Sequence, residues 1–195
     1  LINFDFMIKA KNKDRDRVIE ILAESFDDNQ SVNYIVKQDQ RRNQRIRKLM
    51  AYSFDVCYLY GEVFLTEDKS GCALILFPDK KKNNLKSILL DIKLIVSCIG
   101  ISNIKKAMKR ESKIKELQPK KLMYYLWFIG VDSDKQNKGI GSSLIKEVIE
   151  DAHSRQRPVY LETSTSKNIP WYEKFGFTIY NELNLGYQLF FMKKE

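Results

Sequence analysis

"DKQNKGIGSS", Asp134 to Ser143, sets two glycines between an apolar run, "YYLWFIGV" (Tyr124–Val131), and an amphipathic one, "LIKEVIEDA" (Leu144–Ala152). The order reads as strand, glycine loop, helix. Glycine lets successive backbone N–H groups turn toward one point with no Cβ in the way. The helix start adds unpaired N–H groups and the positive end of its dipole, so such a junction suits a phosphate. The same glycines serve equally an ordinary strand-to-helix turn. Three phosphate-binding patterns compete for the stretch. A P-loop requires GxxxxGK[ST], a spacing that Gly139 and Gly141 do not supply. A dinucleotide fingerprint requires GxGxxG, but Leu144 stands in the third position, and the loop lies late in the chain. The pattern left is Q-x-x-G-x-G, carried by Gln136, Gly139 and Gly141.

Working outward, "FMIKAK" reads as a first strand and "KDRDRVIEILAESF" as a helix, with Val18, Ile21, Leu22 and Ser25 on one face and Asp14 as its N-cap. "DDNQSVNYIV" reads as a loop and a short helix. "RRNQRIRKLMAYSFDVCYLY" repeats apolar residues at helical spacing, and "EVFLTEDKSGCALILFP" is a hairpin stopped by Pro78. Two helices follow in the basic segment. The first has one apolar stripe through Leu85, Ile88, Leu89, Ile92, Ile95, Val96 and Ile99, expected to be buried. "KLMYYLWFIGV" and "PVYLET" are strands, "NIPWYEKF" a short helix, and "GFTIYNELNLGYQLFFMKK" a closing hairpin. The expected order is β-α-α-β-β-α-α-β-α-β-α-β-β. This is an α/β fold: one domain over residues 1–195, a mixed central sheet of about seven strands flanked by helices, and a basic helical insertion at 80–121.

Composition bounds the chemistry. The chain has 195 residues, 44% of them hydrophobic and 30% charged, which is a globular balance. Its three cysteines, Cys57, Cys72 and Cys98, show no CxxC spacing and read as reduced, packed thiols, hence a cytoplasmic expectation. A single histidine, His153, argues against most zinc sites and against a Ser-His-Asp triad; no metal is expected. No signal segment is visible at the start, where Leu1 stands. The run Ile88–Ile101 is shorter than the roughly 20 residues a bilayer span needs and is broken by Asp91 and Lys93, so no membrane partner is expected. Residues 80–121 hold 13 Lys/Arg against Asp91, Glu111 and Glu116, a local charge of +10 out of a total of +9. That excess reads as solvated helix faces or a surface for an acidic partner, with nucleic acid disfavoured.

Two longer stretches, "FIGVDSDKQNKGIGSSLI" and "YLETSTSKNIPWYEKFGF", together resemble the acetyl-CoA motif and the following strand-and-helix motif of the GNAT superfamily of N-acetyltransferases. "IKAKNKDRDRVIEILAESF" resembles the family's first strand and helix, so the resemblance covers most of the chain. "YLET" and the extra helices before the fourth strand are most similar to the puromycin-acetyltransferase-like branch.

The resemblance implies a GNAT fold, acetyl-CoA as donor, and an amine acceptor, small or peptide. It implies that the pantetheine arm pairs with the backbone of Ile129 and Val131, and that the pyrophosphate sits on the loop of Gln136, Asn137, Lys138, Gly139, Ile140, Gly141 and Ser142. Asn137 stands where the family often has glycine, and asparagine tolerates the left-handed backbone. Asn168 matches an asparagine that contacts the pantetheine arm, and Tyr172 matches the general acid. A thiol has a reference pKa of about 8.5 and a phenol about 10, so a nearby tyrosine can give a proton to a departing thiolate. Glu162, in the next strand, is the candidate base, since "MYYLWFIGV" itself holds no carboxylate. Asp27 and Asp28 are candidates for attracting a cationic acceptor. Direct transfer in a ternary complex is expected, because no cysteine falls in either motif. A non-catalytic acyl-CoA sensor and an anion-binding protein stay as alternatives, and a homodimer stays open.

Overall fold

In the computed structural model, which describes residues 6–81 and 84–195, β1 (Met7–Lys9), β2 (Gly61–Thr66), β3 (Gly71–Leu76), β4 (Tyr124–Val131), β5 (Val159–Thr163), β6 (Thr178–Asn184) and β7 (Gln188–Lys194) form one sheet. The order is β1-β2-β3-β4-β5-β7-β6, antiparallel except for the β4–β5 pair. Alternation along the strands splits the core in two. Val63, Leu65, Cys72, Leu74 and Leu76 face α1 (Arg15–Ser25) and α3 (Arg42–Tyr60). Phe64, Ala73, Ile75, Tyr124 and Leu126 face α6 (Ile140–Ser154) and α7 (Ile169–Glu173). All six residues of β3 are buried, as a strand covered on both faces requires.

Helices α1 and α6 obey the apolar spacing read from the sequence. Val18, Ile21 and Leu22 of α1 are fully buried, and so are Leu144, Ile145 and Val148 of α6. Three α-helices separate β1 from β2, matching the three helical segments read along the sequence and one more than the expected order counts. The short α2 (Gln30–Ile35) starts at Asn29, whose side chain caps it by accepting from the Val32 N–H at 3.1 Å, and it ends before α3 where the backbone turns extended at Val36. Asp14 holds the N-cap position of α1, but its side chain makes no capping hydrogen bond there. Its carboxylate instead accepts from the Lys11 N–H (2.9 Å) and pairs with Lys69 (2.7 Å), which holds it below the usual carboxylate range. The three cysteines are buried and free, and burial pushes their thiols up, Cys98 to about 12.

The insertion between β3 and β4 forms α4 (Leu85–Leu94), a π-helical turn (Ile95–Ile99) and α5 (Ile104–Leu117). Ile114 of α5 packs on Leu189 and Phe191 and so covers β7. The expected burial of the α4 stripe holds only past the end of the helix, where Ile99 is buried and Ile95 half-buried. Leu85, Ile88, Leu89, Ile92 and Val96 are exposed, and it is Leu90 and Leu94, outside that stripe, that pack on the core beside Cys98. No single described helix is long and apolar enough to cross a membrane.

Candidate active site

The site begins where β4 and β5 part. They pair only at Tyr124↔Val159 and Tyr125↔Tyr160. Just beyond, Leu74 faces Phe128 while Ile75 faces Leu126, so Trp127 is an extra residue on β4. A bulge of this kind bends its strand. β4 continues along β3 as far as Gly71↔Val131, whereas β5 stays with β7 through Thr163↔Phe190. A slot opens between the two strands. The Asp132 N–H donates to the Ser70 carbonyl at 2.8 Å, so alternation turns Gly130 toward β3 and turns Ile129 and Val131 toward the slot. Ser25 Oγ donates to the Val131 carbonyl at 3.0 Å, and Gln136 Nε2 lies 3.4 Å from it. Val131 therefore offers its N–H to the slot, and Ile129 both its N–H and C=O. An extended ligand can pair with such groups as an added strand.

The glycine loop closes the mouth of this slot. Its start is anchored by an ion pair between Arg17 of α1 and Asp132, whose carboxylate also accepts from the Asp134 N–H (3.2 Å). Lys138 Nζ turns back to the Asp134 carbonyl at 3.1 Å, so its charge serves the loop itself. Asn137 (φ 61°) and Gly139 (φ 81°) both hold left-handed backbone, which those two residue types sustain at least cost. The Ser143 N–H is taken by the Gly139 carbonyl at 3.0 Å. The N–H groups of Ile140, Gly141 and Ser142 belong to the first turn of α6, where a helix has no internal acceptor. A Cβ on Gly139 would meet nothing within 4 Å, so the space beside the loop is open. One on Gly141 would touch Val131 (3.6 Å) and Trp171 (3.7 Å). The loop, the end of β4 and α7 thus converge at Gly141, and Trp171 Nε1 donates to Ser142 Oγ at 3.3 Å across that junction.

Tyr172 sits beside this junction, its ring 4.8 Å from Trp171 and 5.6 Å from Phe177. It is 6% exposed, and its hydroxyl makes no hydrogen bond to a described residue. Burial alone pushes its ionisation well above that of a free phenol, so it keeps its proton at neutral pH. Asn168 is exposed at the start of α7, and its side chain makes no hydrogen bond to a described residue.

Glu162 lies on the opposite face of the sheet. Tyr125 of β4 donates to its Oε2, and Gln118, just past α5, donates to its Oε1 at 2.9 Å. Loss of water pushes its carboxyl above the usual range; the hydrogen bonds from Tyr125 and Gln118 and the charge of Arg110 oppose the shift without cancelling it. Arg110 of α5 donates to Tyr187 Oη (2.9 Å) and to Ser31 Oγ of α2. Ser164, after β5, accepts from the Ser31 N–H at 3.3 Å. A ring of α2, α5 and the β6–β7 hairpin thus surrounds the Glu162 side of the slot. Asp27 is tied to Arg42 at 2.7 Å, and Asp28 is exposed. A recess of about 710 Å³ around Pro158 and Val159, lined by Lys121, His153 and Arg157, lies at the other end of β5 and is separate from the slot.

Tyr125, Gln118, Arg110 and Trp171 were not singled out by the sequence. None of them belongs to a pattern with a spacing signature. The one available hint was that the insertion holding Arg110 and Gln118 immediately precedes β4.

Residues 92–179 match the family model of the acetyltransferase (GNAT) domain. An uncharacterized N-acetyltransferase of Schizosaccharomyces pombe is 37% identical over 62 residues, 32% of this chain; the aligned stretch spans 25% of that protein's length. The fold is similar to that of a histone acetyltransferase HPA2 and related acetyltransferase from Corynebacterium glutamicum (TM-score 0.74, 19% identity, covering 96% of this chain and 94% of that one). It is also similar to Arabidopsis thaliana Naa50 in complex with a CoA-peptide bisubstrate analogue (TM-score 0.52, 13% identity, covering 97% of each). The Q-x-x-G-x-G loop seated at the parting of β4 and β5 lies within the stretch that matches the acetyltransferase (GNAT) domain, and the chain as a whole has a GNAT fold.

Proposed function

We propose that the protein is an acetyl-CoA-dependent N-acetyltransferase acting on a primary amine in a ternary complex. The observation that carries the reading is the convergence at Gly141: free strand backbone, a helix-start nest of N–H groups and a protonated tyrosine meet at one slot. The Naa50 structure, determined with a CoA-linked analogue, supports the choice of donor. When bound, acetyl-CoA supplies a thioester whose acetyl group forms a C–N bond to the amine as the C–S bond breaks.

The chain's residues have separable tasks. Ile129 and Val131 hold the arm as an added strand, and the Val131 N–H polarises the acetyl carbonyl. The N–H groups of the loop, from Asn137 to Ser142, face the pyrophosphate. Asn168 is placed to bind the arm from the α7 side. Tyr172 holds a proton for the sulfur, on the face where α7 meets the loop. Glu162 removes the amine's proton from the other face, directly or through one water. Acid and base on opposite sides of the slot suit a reaction in which donor and acceptor enter from opposite sides. The acceptor side is the ring of α2, α5 and the β6–β7 hairpin, so the insertion shapes acceptor choice. Calorimetric titration with acetyl-CoA tests the donor: saturable one-to-one binding is expected, and absence of binding overturns the reading.

A further inference from the structure

Helix α4 is apolar on two opposite sides. At about 100° per residue, Leu90 and Leu94 fall on one side, where they pack on the core. Leu85, Ile88, Leu89 and Ile92, continued by Val96 in the π-helical turn, fall on the other, and they are 74%, 49%, 57%, 52% and 69% exposed. The polar face expected of a surface helix is missing. Past Gly100, Ile101 (82%) and Met108 (67%) are exposed as well. Lys86 and Lys93 flank the α4 stripe, both exposed and in no ion pair among the described residues. Asp91, the one acid of α4, is turned away to the Tyr52 hydroxyl at 2.7 Å.

We propose that this face of α4 seats the protein on an anionic lipid surface. The five apolar side chains enter the boundary between headgroups and acyl chains, and Lys86 and Lys93 lie at the level of the phosphates. Charge selects this occupant. Residues 80–121 carry +10, so a second copy docked through the same face would set +10 against +10, and the rest of the chain carries a net charge of only −1. A nucleic acid would satisfy the lysines and leave the stripe in water. From Leu85 to Val96 the stripe runs about 16 Å, a length for lying in the interface rather than crossing it. The sequence-based expectation of no membrane partner rested on the lack of a span, which this proposal does not need, and left an anionic membrane surface as a minor alternative for the basic segment.

The test is co-sedimentation of the full chain with phosphatidylcholine vesicles, with and without phosphatidylserine. Binding is expected only with phosphatidylserine, and it weakens as salt rises. Leu85→Ser with Leu89→Ser should lower vesicle affinity about tenfold per residue, from the apolar area lost. Lys86→Gln with Lys93→Gln should lower it about fivefold per lysine. All four positions are exposed, so thermal unfolding should stay at the wild-type temperature in both variants. No partition onto phosphatidylserine vesicles overturns the proposal. So does a dimer by light scattering that Leu85→Ser with Leu89→Ser makes monomeric, which would assign the face to a second copy. Heparin binding that is insensitive to the serine pair, without vesicle binding, overturns it in favour of a polyanion.

Discussion

Removing one oxygen, by Tyr172→Phe, separates chemistry from folding in this protein. The Tyr172 hydroxyl makes no hydrogen bond to a described residue, and the ring is held by Trp171 at 4.8 Å and Phe177 at 5.6 Å. Phenylalanine keeps both ring contacts. The expected stability change is therefore within about 0.5 kcal/mol. Acetyl-CoA affinity should stay within about twofold, because the hydroxyl acts only as the sulfur leaves. Turnover should fall about 10²–10⁴-fold, the usual worth of a positioned acid, or about 3–5 kcal/mol on the barrier. Because burial raises the Tyr172 ionisation, the wild-type rate should show no alkaline decline from this group below pH about 10. The assay is free-thiol release from saturating acetyl-CoA with a working amine, beside a thermal melt. Turnover within about twofold of wild type, with an unchanged melt, would refute the acid role. If the wild type binds acetyl-CoA and turns over no amine, the chain is an acyl-CoA binder without transfer.

Glu162→Gln should remove the acidic limb of the pH–rate profile: the carboxyl is raised, so in the wild type the base is lost to protonation as pH falls through that raised value, and a persisting limb in the variant would point to another base. Gly141→Ala should keep acetyl-CoA binding, since its Cβ meets Val131 and Trp171 at ordinary contact distances of 3.6 and 3.7 Å, whereas the extra carbons of Gly141→Val must displace them and should weaken binding at least about tenfold by calorimetry. Gly139→Ala has open space but left-handed backbone at φ 81°, so it should cost about 1–2 kcal/mol in a denaturant titration and nothing from clashes. Gly61→Ala places a Cβ 1.9 Å from the Ile75 carbonyl oxygen and should destabilise by about 3 kcal/mol or more, read as a lower melting temperature.

The glycine loop was legible because its information is local. Asn137 and Gly139 are residue types that accept positive φ, and the helix after them announces itself by spacing. The alternation of β2 and β3 likewise follows from neighbours in sequence. What stayed hidden depends on distant partners. Glu162 takes its setting from Tyr125 and Gln118, 37 and 44 residues away, and neither pairing has a spacing signature. The bulge at Trp127 has no glycine or proline to mark it. Asp14 had the right residue type for a cap but found Lys69, 55 positions on. The α4 stripe shows the limit of periodicity most clearly. Spacing reveals that a helix has an apolar side, not what lies against it. Because α4 is apolar on both sides, the side named from sequence was the one facing solvent.

The most direct test of the whole account is thiol release from acetyl-CoA across a panel of amines: small arylalkylamines, polyamines, amino acids and short peptides. At least one amine should raise thiol release well above background hydrolysis, with an equal amount of N-acetylated product by mass spectrometry. Thiol release that no amine raises, together with no calorimetric heat on adding acetyl-CoA, would contradict it.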